Sequence, residues 1–167
     1  MLKYKEKCLT NFVGRFIVLR KVLYYILNFT WGIFMTLLGY ILLFILWPFG
    51  KIKCYDKYTL YLEFRWNTGW GFSIGTVFFT TKNPSQSLLD HEFGHTVQNA
   101  IYGPLTPFLV SIPSITRYYY RLFIIKNKKF PISSYDDIWF EGTASYLGLF
   151  HGWNRITDAR RKNGLES

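Results

Sequence analysis

The stretch 83-NPSQSLLDHEFGHTVQNAIYG-103 decides how the rest of the chain is read. Asn83 can cap a helix, Pro84 suits a first helical position, and Gly103-Pro104 is a stop. One helix ending near Tyr102 is therefore predicted. Leu89, Phe93, Val97, Ala100 and Ile101 are spread around it, the pattern of a buried helix. His91 and His95 are four residues apart, so both side chains leave one face, a turn from each other. With Glu92 between them they spell H-E-x-x-H.

Two imidazoles at that spacing can share one Zn²⁺, each about 2.0–2.1 Å from it. The carboxylate beside the first can take a proton from water activated by the metal. A catalytic zinc also needs a third protein ligand and one open position. No Asp, Glu or His lies between His95 and Asp136. Gln98 and Ile101 stand where a metzincin would carry its glycine and third histidine, so that class is excluded. The candidates are Asp136, Asp137, Glu141, His151 and Asp158, with Glu166 in the extreme tail.

A second helix is predicted over 138-IWFEGTASYLGLF-150. Ser133 and Ser134 precede Asp136 and Asp137 by three residues, a capping-box-like start. Glu141, Ala144, Ser145 and Gly148 then fall at i, i+3, i+4 and i+7. One face thus carries a single carboxylate in a stripe of small side chains, which lets another helix come close. A bare buried carboxylate is costly, so Glu141 is the favoured third ligand. Asp136 and Asp137 read as helix-start residues, and His151 as a histidine near a helix end.

Between the two helices, 101-IYGPLTPFLVSIPSI-115 is uncharged and broken by three prolines. It is predicted as a hydrophobic loop that either touches a bilayer or covers the core. A helix from Ser114 to about Lys126 follows, then a basic turn at Lys126, Lys128 and Lys129. Arg117, Tyr118, Tyr119 and Tyr120 are candidates, by residue type, to stabilise an oxyanion.

Upstream, 58-YTLYLEFRW-66 and 71-GFSIGTVFFTT-81 read as two strands of a β-hairpin turning at Asn67-Thr68-Gly69. Before them, 22-VLYYILNFTWGIFMTLLGYILLFILWPFG-50 contains no charge and is flanked by Arg20, Lys21, Lys51 and Lys53. It exceeds the roughly 20 apolar residues of a spanning helix. Trp31, Tyr40 and Trp47 suit the interfaces. A membrane helix over about 22–49 is predicted, single-pass or dipping in. It is too long for a cleavable signal, and no small-x-small site follows it.

Composition agrees. The chain is 50% hydrophobic and only 18% charged, below the roughly 25% usual in soluble domains and too apolar for disorder. A net charge of +10 suits an anionic membrane surface. The charges are scattered and no recognition motif occurs, so no nucleic-acid partner is expected. Cys8 and Cys54 are isolated and read as free thiols.

The pair 91-HEFGHTVQNAIYGPL-105 and 141-EGTASYLG-148 resembles the gluzincin class of zinc metallopeptidases, and most of all small membrane-associated bacterial members. The resemblance covers residues 71–148. It implies an α+β fold: a minimal zincin-like domain of β-hairpin, H-E-x-x-H helix and glutamate-bearing helix, preceded by a hydrophobic membrane helix. It implies zinc held by His91, His95 and Glu141, with Glu92 as general base. A peptide or protein would be the substrate, and membrane lipid a second partner. The chain then divides into a basic N-terminus with membrane helix (1–50), a metal-binding domain (51–152) and a polar tail (153–167). One position departs from the pattern. Relatives of this kind carry an aspartate four residues after the glutamate, and here Ser145 stands there. A hydroxyl can hydrogen-bond a ligating imidazole but polarises it less than a carboxylate does. The alternative expectation is a zinc-stabilised membrane scaffold or regulatory protein without catalysis.

Overall fold

Aromatic and β-branched side chains build a four-stranded mixed sheet at the centre of an α+β fold. The computed structural model describes residues 19–55, 59–127 and 139–148. The strands are β1 (Gly50–Tyr55), β2 (Thr59–Phe64), β3 (Phe72–Ile74) and β4 (Val77–Thr80), in the order β1-β2-β4-β3. β1 is antiparallel to β2, β2 parallel to β4, and β4 antiparallel to β3. The hairpin expected between 58–66 and 71–81 does not form. The second segment folds on itself instead, with Ile74 paired to Val77 across Gly75-Thr76. Gly75 makes this turn possible with a φ of +61°, a value that favours a residue without Cβ. β2 finds its antiparallel partner upstream, in β1.

The pleat of the central strands sorts the core into two halves. Tyr61 and Phe78 face one side, where they stack at 5.0 Å and meet Tyr24, Tyr55, Phe93 and Ala100. Leu62, Phe64, Val77 and Phe79 face the other side and meet Leu43. The first half is closed by helices α1 (Leu19–Phe29) and α3 (Gln86–Tyr102), the second by α2 (Ile33–Leu46).

The continuous helix expected over 22–49 is two helices. Leu19–Phe29 and Ile33–Phe49 meet at 87°, and no single helix among the described residues is long and apolar enough to cross a membrane. Polar side chains cause and satisfy the break. Asn28 Nδ2 donates to the Tyr24 carbonyl at 3.0 Å, and the Thr30 hydroxyl to the Ile26 carbonyl at 2.6 Å. The Thr36 hydroxyl, from α2, donates to the Asn28 carbonyl at 3.0 Å. The elbow is then fastened to α3. Asn99 Nδ2 donates to Asn28 Oδ1 at 2.7 Å, and the Tyr24 hydroxyl to Thr96 Oγ1 at 2.9 Å, all four side chains being buried. Gly32 permits this, because a Cβ there would fall 2.5 Å from Asn99 Nδ2.

Helix α3 ends at Gly103 as predicted, but its cap is Ser85, whose hydroxyl accepts from the Leu88 amide. Asn83 precedes the cap with a φ of +50°, a conformation Asn tolerates. The proline-rich stretch is helical rather than irregular. It runs as a 3-10 turn (Gly103–Leu105), a π turn (Pro107–Ser111) and α4 (Ile112–Asn127), each with its proline in the first turn, where a missing N–H costs nothing. Helix α5 comprises residues 139–148. Ser133, Ser134, Asp136, Asp137, His151, Asp158, Glu166, the basic turn at Lys128 and Lys129, and the tail lie outside the described residues.

Candidate metal centre

The site forms where α3 and α5 cross with almost no space between them. A Cβ on Gly94, inside H-E-x-x-H, would fall 1.9 Å from the Ala144 carbonyl oxygen. A Cβ on Gly148 would fall 1.8 Å from that of Asp90. The stripe of small residues on α5 therefore does what its spacing suggests. It lets Glu141 reach the two histidines.

Glu141 is 0% exposed. Its Oε2 lies 3.2 Å from His91 Nε2 and 3.3 Å from His95 Nε2. The three residues form a group able to hold a metal ion, with ligand atoms all within 4.8 Å of one another. Ligands 2.0–2.1 Å from an ion at tetrahedral angles stand about 3.3–3.4 Å apart. The two nitrogen–oxygen separations match that edge. Glu141 Oε2 also makes no hydrogen bond, an unusual state for a buried carboxylate oxygen.

Each ligand is gripped from behind. The Ser145 hydroxyl lies 2.8 Å from His91 Nδ1. Gln98 Oε1 lies 2.9 Å from His95 Nδ1, and Gln98 Nε2 donates to the Phe140 carbonyl at 2.6 Å. The second bond fixes the amide, since only its NH₂ can donate to a carbonyl. Its oxygen must then accept from His95 Nδ1–H. A neutral His95 consequently turns the bare lone pair of Nε2 towards a carboxylate oxygen, an arrangement that calls for a cation between them. Ser114, on α4, donates to Glu141 Oε1 at 2.6 Å.

The electrostatics follow from this crowding. Burial would raise the Glu141 carboxyl, but the imidazoles of His91 and His95 facing Oε2, the charge of His95 and the hydrogen bond from Ser114 hold it far below the usual carboxylate range. Burial would lower His95, but the facing Glu141 carboxylate and the charge of Glu92 hold it above its ordinary value.

Glu92 is buried beside the group. Burial pushes its carboxyl up, against the opposing charges of His95 and His91 and the hydrogen bond from Ser73. The Ser73 hydroxyl is 2.6 Å from Glu92 Oε2 and 2.8 Å from the Glu92 carbonyl. Gly71 leaves room for this carboxylate, because a Cβ there would lie 2.8 Å from Oε1. Two residues earlier, Asp90 accepts from the Tyr55 hydroxyl and from Gln86 Nε2, tying α3 to β1.

His91, His95, Glu92, Glu141 and Ser145 thus come together. Tyr118, Tyr119 and Tyr120 are exposed on α4, and Ser114 of that helix contacts the group. Gln98, Ser114 and Ser73 were missed. Gln98 was within reach of sequence reasoning, since it lies three residues after His95 on the same helix face. Ser114 and Ser73 come from other elements, and no local spacing announces them. Gln98→Leu keeps the approximate volume but strands His95 Nδ1–H. Metal affinity, read by competition with a chelator, is expected to fall about 10- to 100-fold. Unchanged affinity would reduce Gln98 to a packing residue.

No protein-family model, curated protein or solved structure matches the chain.

Proposed function

We propose that the chain is a membrane-associated, zinc-dependent peptide hydrolase of gluzincin type. The observation that carries this reading is the buried, unbonded Glu141 Oε2 facing two imidazole nitrogens at tetrahedral-edge distances. Two histidines and one carboxylate make a donor set of catalytic zinc with a fourth position left open. When bound, zinc supplies Lewis acidity, polarising a carbonyl oxygen and bringing the acidity of water towards neutral pH.

The chain's own residues do the rest. Glu92 accepts the proton of the attacking water and returns it to the leaving amine. Its raised affinity for protons, caused by burial, suits a group that must both take and release one. Ser73 holds one carboxylate oxygen in place. Ser145 and Gln98 fix the ring orientation of the two histidines. That Ser145 reaches His91 supports a competent site despite the absent aspartate.

The test is metal content and peptide hydrolysis, wild type against Glu92→Gln. One zinc per chain is expected in both, with hydrolysis of a peptide library about 10²- to 10⁴-fold slower in the variant. Wild-type protein purified without metal would sink the reading. So would a Glu92→Gln variant that cleaves as fast as wild type.

A further inference from the structure

The outward face of α2 inverts the pattern of a water-soluble helix. Thr36 and Gly39 are buried, whereas Phe34, Leu37, Ile41 and Phe44 are exposed, Phe34 and Phe44 each to 75%. The stretch after α3 repeats the inversion. Thr106 and Val110 are buried, while Leu105 and Ile112 are exposed and Phe108 is 67% exposed. The two surfaces join at Trp31, whose ring covers Gly103 so closely that a Cβ there would fall 2.2 Å from it. No charge interrupts the sequence from Val22 to Gly50 or from Ile101 to Thr116. Cationic residues flank the first run on both sides, Arg20 and Lys21 before it and Lys51 and Lys53 after it, and Arg117 and Arg121 follow the second. An apolar face of this extent marks a partner surface, and its basic rim complements anionic headgroups.

We propose that this two-part face seats in a single leaflet of an anionic bilayer, with the chain entering and leaving on the same side. The 14 residues of α2 reach about 21 Å, short of the roughly 30 Å hydrocarbon core. The 87° bend turns α1 away from the axis of α2. Straightening the pair would break the buried bonds of Tyr24 and Asn28 to α3. This inference deepens the membrane half of the reading above and does not use its metal chemistry.

Cys8 and Cys54 lie on opposite sides of the apolar stretch, which makes the topology measurable. Cys8→Ser and Cys54→Ser each leave one thiol for a membrane-impermeant maleimide in sealed membrane vesicles. Both thiols should react in vesicles of one orientation and stay protected in the other until detergent is added. Labelling of the two thiols from opposite sides shows a span and overturns the proposal. In parallel, wild-type protein should float with phosphatidylglycerol-containing vesicles and less with pure phosphatidylcholine. Phe34→Asp and Phe108→Asp, checked for folding by circular dichroism, should each lower partition about tenfold or more. Wild type that fails to float, variants that float as wild type does, or self-association through this face without vesicle binding overturn the proposal. None of these readouts needs metal or hydrolysis, so failure here leaves the hydrolase reading to its own test.

Discussion

Gly94→Ala is expected to unfold the metal centre. At an exposed helical site, alanine would stabilise by roughly 1 kcal/mol relative to glycine. Here the new methyl group would sit 1.9 Å from the Ala144 carbonyl oxygen, a main-chain atom that cannot rotate away. Helix α5 must shift or tilt, carrying Glu141 and Ser145 from the histidines. Overpacking typically costs about 1–3 kcal/mol, and a clash with rigid backbone belongs at or above the top of that range. Chemical denaturation should therefore show a sign opposite to helix propensity, and zinc should be lost in the same variant. A neutral or stabilising Gly94→Ala would mean that α3 and α5 are further apart than described.

Glu141→Ala is expected to reduce bound zinc from one per chain to trace amounts at micromolar metal. On the proposed reading it removes one of three protein ligands and leaves two imidazoles, a set too small for a closed protein site. The effect reaches the metal-free protein as well. Glu141 is the principal partner that raises the proton affinity of buried His95. Without it the His95 resonance in an NMR titration should move to lower pH. Zinc retained at wild-type affinity would place the third ligand among the residues beyond those described, of which Asp136, Asp137, His151 and Asp158 were the alternatives.

How much of this was legible in the sequence depends on the range over which each pattern acts. The helical period alone puts His91 and His95 on one face, and Glu141, Ala144, Ser145 and Gly148 on another. Both faces are where the period places them. Strand pairing is not set by such a period. Asn67-Thr68-Gly69 looks like a hairpin turn, yet the tight turn is Gly75-Thr76, hidden inside an otherwise unbroken strand pattern. The parallel pairing of β2 with β4 follows from it, because β4 doubles back and enters the centre of the sheet. The bend at residues 30–32 was foreshadowed by Asn28 and Thr30, but hydropathy averages them away. Their meaning emerges only with Asn99 and Thr36 in place. Ser114 and Ser73 come from distant segments, and only the fold brings them to the site.

The Asn28–Asn99 pair has a practical consequence for handling the protein. Its hydrophobic beginning invites removal to obtain a soluble domain. Cutting after Phe49 would strip Asn28 from Asn99 and Tyr24 from Thr96, opening a wet hole along the back of the very helix that carries both histidines. Solubility is better sought by decorating the outer face, at Phe34, Phe44 or Phe108, than by shortening the chain.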